Sequence, residues 1–575
     1  MRLGLAILLM ALCVSGGFLD GIGGIVRDLL DRGRTLGGKL KNATTNGFSK
    51  VFVTHLLSIR AKLEALREKV NRTLQLTPER LAALKTKLSK LTRMARVKVH
   101  EEGDSIEEVN EKNEVGYLLY QSDIVLTSEQ ADEIVKEIKE QASDNPRKAR
   151  QALKDYRYPR TLWNEGVSYY FDPSASEKVR SVFRKATYIW GNNTCIDFKE
   201  SRAEGPRIRV IAKKGCWSNV GKLPKEQDIC LGKGCETVGT ATHELGHTLG
   251  FFHTHSRHDR DQYITVNIIE LEVSSMSQFR KESKQRNENY GFPYDYGSNL
   301  HYGVYSGTAT GRPVLVPHKI DFEETLGSRF LSFYDILMMN VHYGCFDRCK
   351  NTKIECANGG APNPRKCTRC LCPLGYGGPL CNKRQKSINT KCEGRSVTAT
   401  KDYKTLTITL GRQGKGEEEE FEQCFFWIQS PPKTQLEIKV VRLDGTNPNN
   451  GCPYGGVELK LSRDPRMTGL RMCSQKFVGR SFLSKTNRTV VMGYSNKGLT
   501  NIELQFRFVT DGKPGPTPST PKPVSTKRTF STPRGWKCED QKICASIKSV
   551  ICDPNSLTYN DAERIRTCPK ACGFC

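Results

Sequence analysis

Cysteine placement sets the first limit on what this chain can fold into. Of 22 cysteines in 575 residues, Cys13 stands alone near the start, none falls in 17–150, and the other 21 run from Cys195 to Cys575. Units too small to bury a sufficient apolar core are held by disulfides. The spacing therefore predicts a cysteine-free leader followed by cross-linked modules. At ~100–200 residues per domain, the length fits three to five folding units. The stretch 511–535, rich in Pro, Thr and Ser from Lys513 onward, reads as a semi-rigid spacer open to O-glycosylation.

Arg2, the apolar run from Leu3 to Val14, and the small residues Ser15, Gly16 and Gly17 have the layout of a secretory signal peptide over residues 1–16. Its removal takes Cys13 and leaves an odd count, so at least one thiol is free or pairs with another chain. The expected destination is extracellular, where disulfides persist. No other apolar run reaches the length of a membrane-spanning helix. Arg147 and Arg150 bracket a basic cluster at the leader's end and predict processing after Arg150, making 17–150 a propeptide. Asn42, Asn71, Asn192 and Asn487 open glycosylation sequons. Leu63, Leu66 and Val70, then Leu81, Leu84, Leu88 and Leu91, recur at helical spacing and predict amphipathic leader helices.

A net charge of +27 invites a nucleic-acid reading, but its distribution removes that reading. The leader 17–100 carries +12, residues 101–150 carry −8, residues 346–575 carry +19, and 151–345 only +3. No basic stripe interleaved with aromatics occurs in that near-neutral segment, and nucleic-acid binding needs one.

The same segment holds five of the ten histidines between His243 and His258. His243 and His247 stand four apart, on one face of a helix, and can present two imidazoles to one metal ion. Glu244 lies beside that face, placed to accept a proton from water at the metal. Gly250 can take a positive φ, end the helix and bring His253 back as a third ligand. Three protein ligands leave a zinc position open for chemistry, unlike a closed structural site.

This string resembles the metzincin metalloproteases, and its surroundings narrow the resemblance to the astacin family over 151–345. The matching residues include Tyr158-Pro159, Trp163, the run Gly215-Cys216-Trp217-Ser218-Asn219-Val220-Gly221, the run from His253 to Asp261, and Ser298-Asn299-Leu300-His301-Tyr302-Gly303. The resemblance implies an α/β zinc-protease domain of twisted sheet plus active-site helix. It implies one Zn2+ per chain on His243, His247 and His253, with Glu244 as general base in peptide-bond hydrolysis through a zinc-activated water. Tyr302 would be a fifth ligand that swings away to stabilise the oxyanion. Two positions depart from the family pattern. Leu300 replaces the methionine of the Met-turn, and Thr254 replaces the glutamate that meets the new N-terminus after activation. Those departures motivate a rival reading, a binding protein with an inactive protease domain. Astacin zymogens share a Phe-x-Gly-Asp stretch whose Asp blocks the metal. Here Tyr120-Gln121-Ser122-Asp123 is the nearest match, making Asp123 the implied metal ligand of the zymogen.

The family pattern pairs Cys195 with Cys345 and Cys216 with Cys235, leaving Cys230 free or bridged to another chain. Residues 346–384 resemble an EGF-like module with Cys349–Cys367, Cys356–Cys370 and Cys372–Cys381. Residues 392–510 resemble an all-β CUB sandwich with Cys392–Cys424 and Cys452–Cys473, its strands including Thr405–Leu410 and Leu436–Val441. Residues 538–575 resemble a small disulfide-rich ShK-toxin-like module. No Lys-Tyr pair follows Cys538, which favours partner binding over channel block. This module order resembles nematode astacins, whose expected substrates are extracellular matrix or cuticle proteins. The accessory modules would bind matrix or partner proteins.

Overall fold

A computed structural model describes residues 49–91, 98–141, 152–153, 157–283 and 287–510. These belong to one compact unit running to Thr517, while a second, Pro518–Cys575, falls outside them. Also outside lie the signal segment, Asn42, Arg150 and the 511–535 spacer. Among the described residues no helix is long and apolar enough to cross a membrane.

Among its described residues the leader forms five helices: α1 (Lys50–Glu64), α2 (Arg67–Leu74), α3 (Pro78–Leu88), α4 (Ile106–Lys112) and α5 (Ser128–Gln141). The leucine spacing was right about helix and imprecise about extent. The chain breaks at Ala65 and Leu66 between α1 and α2, though Leu63, Leu66 and Val70 are all buried. Leu91 lies beyond α3, which ends at Leu88 with Ser89 as its cap.

The first sheet contains β1 (Ile124–Val125), β2 (Val167–Phe171), β3 (Phe198–Glu200), β4 (Arg207–Ile211), β5 (Cys216–Asn219) and β6 (Glu226–Leu231), in spatial order β1-β5-β6-β4-β2-β3. Five of these strands belong to segment 151–345. The sixth, β1, comes from the leader and pairs parallel with the edge strand β5 through Ile124–Ser218 and Val125–Asn219. Against the sheet pack α6 (Glu177–Asn193) and α7 (Val238–Thr248). Ser176 and Thr237 cap their first turns by accepting from Val179 N and Thr240 N. Along α6, Val179, Val182, Phe183, Ala186 and Trp190 form one buried face. Trp190 and Trp163 donate their indole N–H groups to the carbonyls of Thr242 and Thr248, fixing α7 at its middle and at its C-terminal end.

Two large apolar clusters fill segment 151–345. One joins Trp163, Phe183, Trp190, Leu245, Leu249, Leu300 and Met339 around the sheet and α7. The other joins Phe252, Ile264, Tyr294, Tyr302 and Leu315 to leader residues Leu63, Val70, Leu74, Ile124 and Ile134. The leader therefore shares a core with the second half of segment 151–345.

Beyond α8 (Phe333–His342), the chain forms a small cross-linked segment and then two facing sheets. The sandwich strands are β7 (Ser396–Thr398), β8 (Lys404–Gly411), β9 (Glu422–Gln429), β10 (Gln435–Asp444), β11 (Gly455–Lys460), β12 (Leu470–Met472), β13 (Ser481–Leu483), β14 (Arg488–Ser495) and β15 (Leu499–Val509). They order as β7-β9-β14-β11-β12 and β8-β15-β10-β13. Strand alternation decides which residues face the core: Leu406, Ile408 and Leu410 of β8 are buried, with exposed threonines between them. Seven disulfides close among the described residues: Cys195–Cys345, Cys216–Cys235, Cys349–Cys367, Cys356–Cys370, Cys372–Cys381, Cys392–Cys424 and Cys452–Cys473. Cys230 is free and fully buried, so its thiol does not reach another chain; burial also raises its pKa, keeping it protonated and unreactive. Of the sequon asparagines, Asn192 is exposed, whereas Asn487 spends its amide N–H on the Ser430 carbonyl.

Inside the sandwich, Arg471 of β12 pairs with Glu458 of β11 at 2.9 Å, both side chains 1% exposed. Arg471→Ala leaves that carboxylate without its cation and is expected to cost about 3–5 kcal/mol. Calorimetry should show a lowered sandwich transition. An unchanged transition would mean that the pair contributes nothing.

Candidate metal centre

Helix α7 is buried on every side from Thr240 to Thr248, which suits a helix whose polar residues serve a site and not solvent. It ends at Leu249. Gly250 takes φ +116°, its N–H bonds the His247 carbonyl, and Phe251 N–H bonds the Gly246 carbonyl. This glycine-terminated turn reverses the chain and returns His253 to His243 and His247. A Cβ on Gly250 would stand 3.0 Å from His342 Nε2, so the tight turn also lacks room for a side chain.

The three rings converge through Nε2. His247 Nε2 lies 3.0 Å and His253 Nε2 3.2 Å from His243 Nε2. Each Nδ1 is engaged elsewhere: His243 donates to the Asn299 carbonyl (2.7 Å), His247 to the Phe251 carbonyl (2.6 Å) and His253 to Gln121 Oε1 (2.9 Å). Carbonyl oxygens only accept, so the ring protons sit on Nδ1 and three Nε2 lone pairs face one another. Asp123 adds a fourth acceptor, with Oδ2 3.2 Å from His243 Nε2 and 3.1 Å from His253 Nε2, while its buried Oδ1 makes no hydrogen bond. Four acceptors facing inward in a buried space suit a cation held among them. Imidazole and carboxylate donors at these separations suit zinc. Burial drives the His253 pKa down to about 3, keeping that ring neutral and able to ligate.

Asp123 reaches the centre on a tight loop. Tyr120 and Ile124 exchange both backbone hydrogen bonds, and the loop between them turns through Gln121 (φ 45°) and Ser122 (φ 56°). Ser122 occupies the position where the resembling stretch has glycine, and its left-handed backbone explains that preference. Asn110 of α4 braces the loop, donating to the carbonyls of Ser122 (2.8 Å) and Cys216 (2.6 Å).

Glu244 is fully buried. Ser218 of β5 donates to its Oε2 at 2.7 Å, and Oε1 has no partner. Burial, reinforced by the Asp123 charge, raises its pKa well above the usual carboxylate range. Burial, with the same charge beside it, likewise raises the Tyr302 hydroxyl, which stays protonated. Tyr302 donates to the Gln121 carbonyl and lies 2.8 Å from Ser122 Oγ, its ring stacked on His255. The hydroxyl is thus engaged by the leader.

Leu300 is 2% exposed and packs under α7, its methyl carbons 3.3 Å from where a Cβ on Gly246 would stand. Thr254 donates from Oγ1 to Ser298 Oγ, and Ser298 donates to Asp335. Asp335 also accepts from Asn299 N, which fixes the carbonyl that orients His243. Sequence reasoning assigned no role to Ser218, Asn110 or Asp335. Only Asp335 left a local signal, the Ser332-x-x-Asp335 capping pattern that opens α8.

A three-histidine centre with a buried carboxylate beside it, set under the edge strand of a sheet, defines a metallopeptidase. The family model described as Astacin, a peptidase family, matches residues 155–344. Zinc metalloproteinase nas-31 of Caenorhabditis elegans is 38% identical over 468 residues, covering 80% of this chain and 76% of that one. Zinc metalloproteinase nas-23 of the same organism is 33% identical, covering 74% and 77%. Among solved structures, high choriolytic enzyme 1, a hatching enzyme zinc-protease from the medaka Oryzias latipes, is 30% identical. That match covers 34% of this chain and 98% of that one, with TM-score 0.31. The chain belongs to the astacin family of zinc metalloproteinases and is a zinc-dependent endopeptidase.

Proposed function

We propose that the chain is secreted as a latent precursor, is processed after Arg150, and then cleaves extracellular matrix proteins, cuticle among them. His243, His247 and His253 hold the zinc, Glu244 is the general base, and Tyr302 is the electrophilic partner. The observation that carries the reading is the buried set of inward-facing acceptors beside a glutamate with one unpartnered oxygen. When bound, zinc supplies Lewis acidity, polarising the scissile carbonyl and lowering the pKa of water. Glu244, steadied by Ser218, takes the proton from the attacking water and passes it to the leaving nitrogen. Tyr302, released from Gln121, donates to the carbonyl oxygen as negative charge develops there. An extended substrate takes the place of β1 along the edge strand β5, where backbone groups pair and side chains alternate into pockets.

Asp123 supplies the latency by filling the centre with a charged acceptor. Residues 346–384 act as an EGF-like brace, 392–510 as a CUB sandwich, and 538–575 as a ShK-like module, the set placing the enzyme on matrix. Disulfides in every described module after the leader support an oxidising, extracellular setting. The rival reading of an inactive binding protein loses ground because Leu300 fills its site under α7.

Two measurements test this. Protein processed after Arg150 should stop cleaving a peptide library once a chelator strips its zinc, and recover with a single equivalent of zinc. Cleavage that survives verified zinc loss would refute the mechanism. Tyr302→Phe, which keeps the ring stack, should lower kcat by about 10²–10³-fold with little change in KM. An equal fall through KM alone would make Tyr302 a binding residue instead.

A further inference from the structure

We infer that the β-sandwich supplies one wall of the substrate cleft, where Asn449, Asn450 and Tyr454 form a binding site for an acidic side chain of the peptide substrate. Asp104 of the leader fills that site in the latent chain. The inference rests on the peptidase reading above and adds a subsite from outside the peptidase segment.

A cavity of about 60 Å³ beside the metal centre is lined by His243, Tyr302 and Arg329 of the peptidase, Asp104 and Asp123 of the leader, and Asn450 of the sandwich. Asp104 is 5% exposed, and its carboxylate accepts from Tyr454 Oη at 2.5 Å and Asn449 Nδ2 at 2.9 Å. The leader's own Val99 N and His100 N complete the set. This carboxylate lies far along the leader from Asp123 and makes none of the metal-centre contacts. Arg329 lies 5.0 Å over the Tyr454 ring, held there by Glu417 of the sandwich at 3.0 Å, so a cation borders the pocket. Asn450 is 6% exposed and its Oδ1 has no partner. An unpaired buried acceptor facing a cavity suits a backbone N–H of an extended peptide.

The wall does not depend on the leader. Thr468 donates to Asp295 (3.0 Å), Arg471 to Ser328 (2.5 Å), and Cys473 N to Glu324 (2.7 Å), each joining sandwich to peptidase. The two also meet at glycines. A Cβ on Gly303, next to Tyr302, would stand 2.3 Å from Asn450 Cγ, and one on Gly451 would stand 2.0 Å from the Gly327 carbonyl oxygen. Departure of the leader removes Val99 N, His100 N and Asp104 itself, and leaves Tyr454, Asn449 and Asn450 lining a vacated site.

The test has two arms, both on processed full-length protein freed of its leader. In the binding arm, a synthetic peptide of leader residues 98–112 is titrated onto the Glu244→Ala protein. Its Asp104→Asn version should bind roughly tenfold more weakly, since hydrogen bonds to a charged group are lost. Adding Tyr454→Phe and Asn449→Ala to the protein should abolish that difference. In the cleavage arm, peptides carrying acid or amide at each position are compared. The active protein should favour the acid at one position by roughly tenfold in kcat/KM. In Tyr454→Phe alone, which keeps the ring, the acid-to-amide ratio should fall toward one. An Asp104 effect or an acid preference that persists undiminished in the sandwich variants would overturn the inference, as would the absence of both. If no peptide is cleaved, the peptidase reading fails and the binding arm still decides this site.

Discussion

Replacing Glu244 by Gln is expected to leave one zinc per chain in place and to lower kcat by about 10³-fold, within the range that general acid–base groups contribute. The substitution is close to isosteric. The amide oxygen can still accept from Ser218, which now donates to Oε2 at 2.7 Å, so α7 and its histidines need not move. What disappears is an oxygen able to take a proton. In the wild-type chain Oε1 is buried without a partner, an expensive arrangement for a carboxylate unless a reacting molecule completes it. Metal content and steady-state kinetics on the same preparation check the expectation. Full activity at unchanged zinc would assign the proton transfer to another group.

The second large effect concerns the proposed latent precursor. Asp123→Ala removes the fourth acceptor from the centre and should raise the precursor's activity by roughly 10–10²-fold, the worth of a hydrogen-bonded charge. Activity should still fall short of the processed enzyme. The leader keeps its other attachments: the apolar core of Leu63, Val70, Leu74, Ile124 and Ile134, the pairing of β1 with β5, and the Tyr302 bond to the Gln121 carbonyl. Peptide cleavage by uncut protein, with processing blocked by substitution of Arg150, reads this directly. A mutant precursor as silent as wild type would place latency in those attachments and not in Asp123.

The parts of the site written locally were readable from sequence. The four-residue interval of His243 and His247 is a helical repeat, and Gly250 carries the turn that returns His253, because a single φ suffices to encode it. Cysteine positions likewise pointed to the seven bridges that close among the described residues. The contacts that tie segments together were not readable. Ser218 meets Glu244 across 26 residues, Asn110 meets Cys216 across 106, and Tyr454 meets Asp104 across 350. A serine, an asparagine and a tyrosine are common residues with ordinary spacing, and only the fold makes neighbours of them. The misjudged helix extent has a similar cause. Leu91 keeps the period of Leu81, Leu84 and Leu88, but periodicity cannot register that the helix ends at Leu88 with Ser89 as its cap.

The Cys195–Cys345 bridge spans 150 residues and ties the end of α6 to the exit of the peptidase segment. Every metal ligand of the peptidase, Glu244 and Tyr302 lie inside that covalent ring. A chain working among other proteases will be cut at times in its surface loops. A single cut between those cysteines opens the ring without releasing a fragment, so the two pieces stay attached and can remain packed around the zinc. Such nicked molecules would run at full size until reduced, and breakage that would dismantle an unbridged enzyme would leave this one assembled.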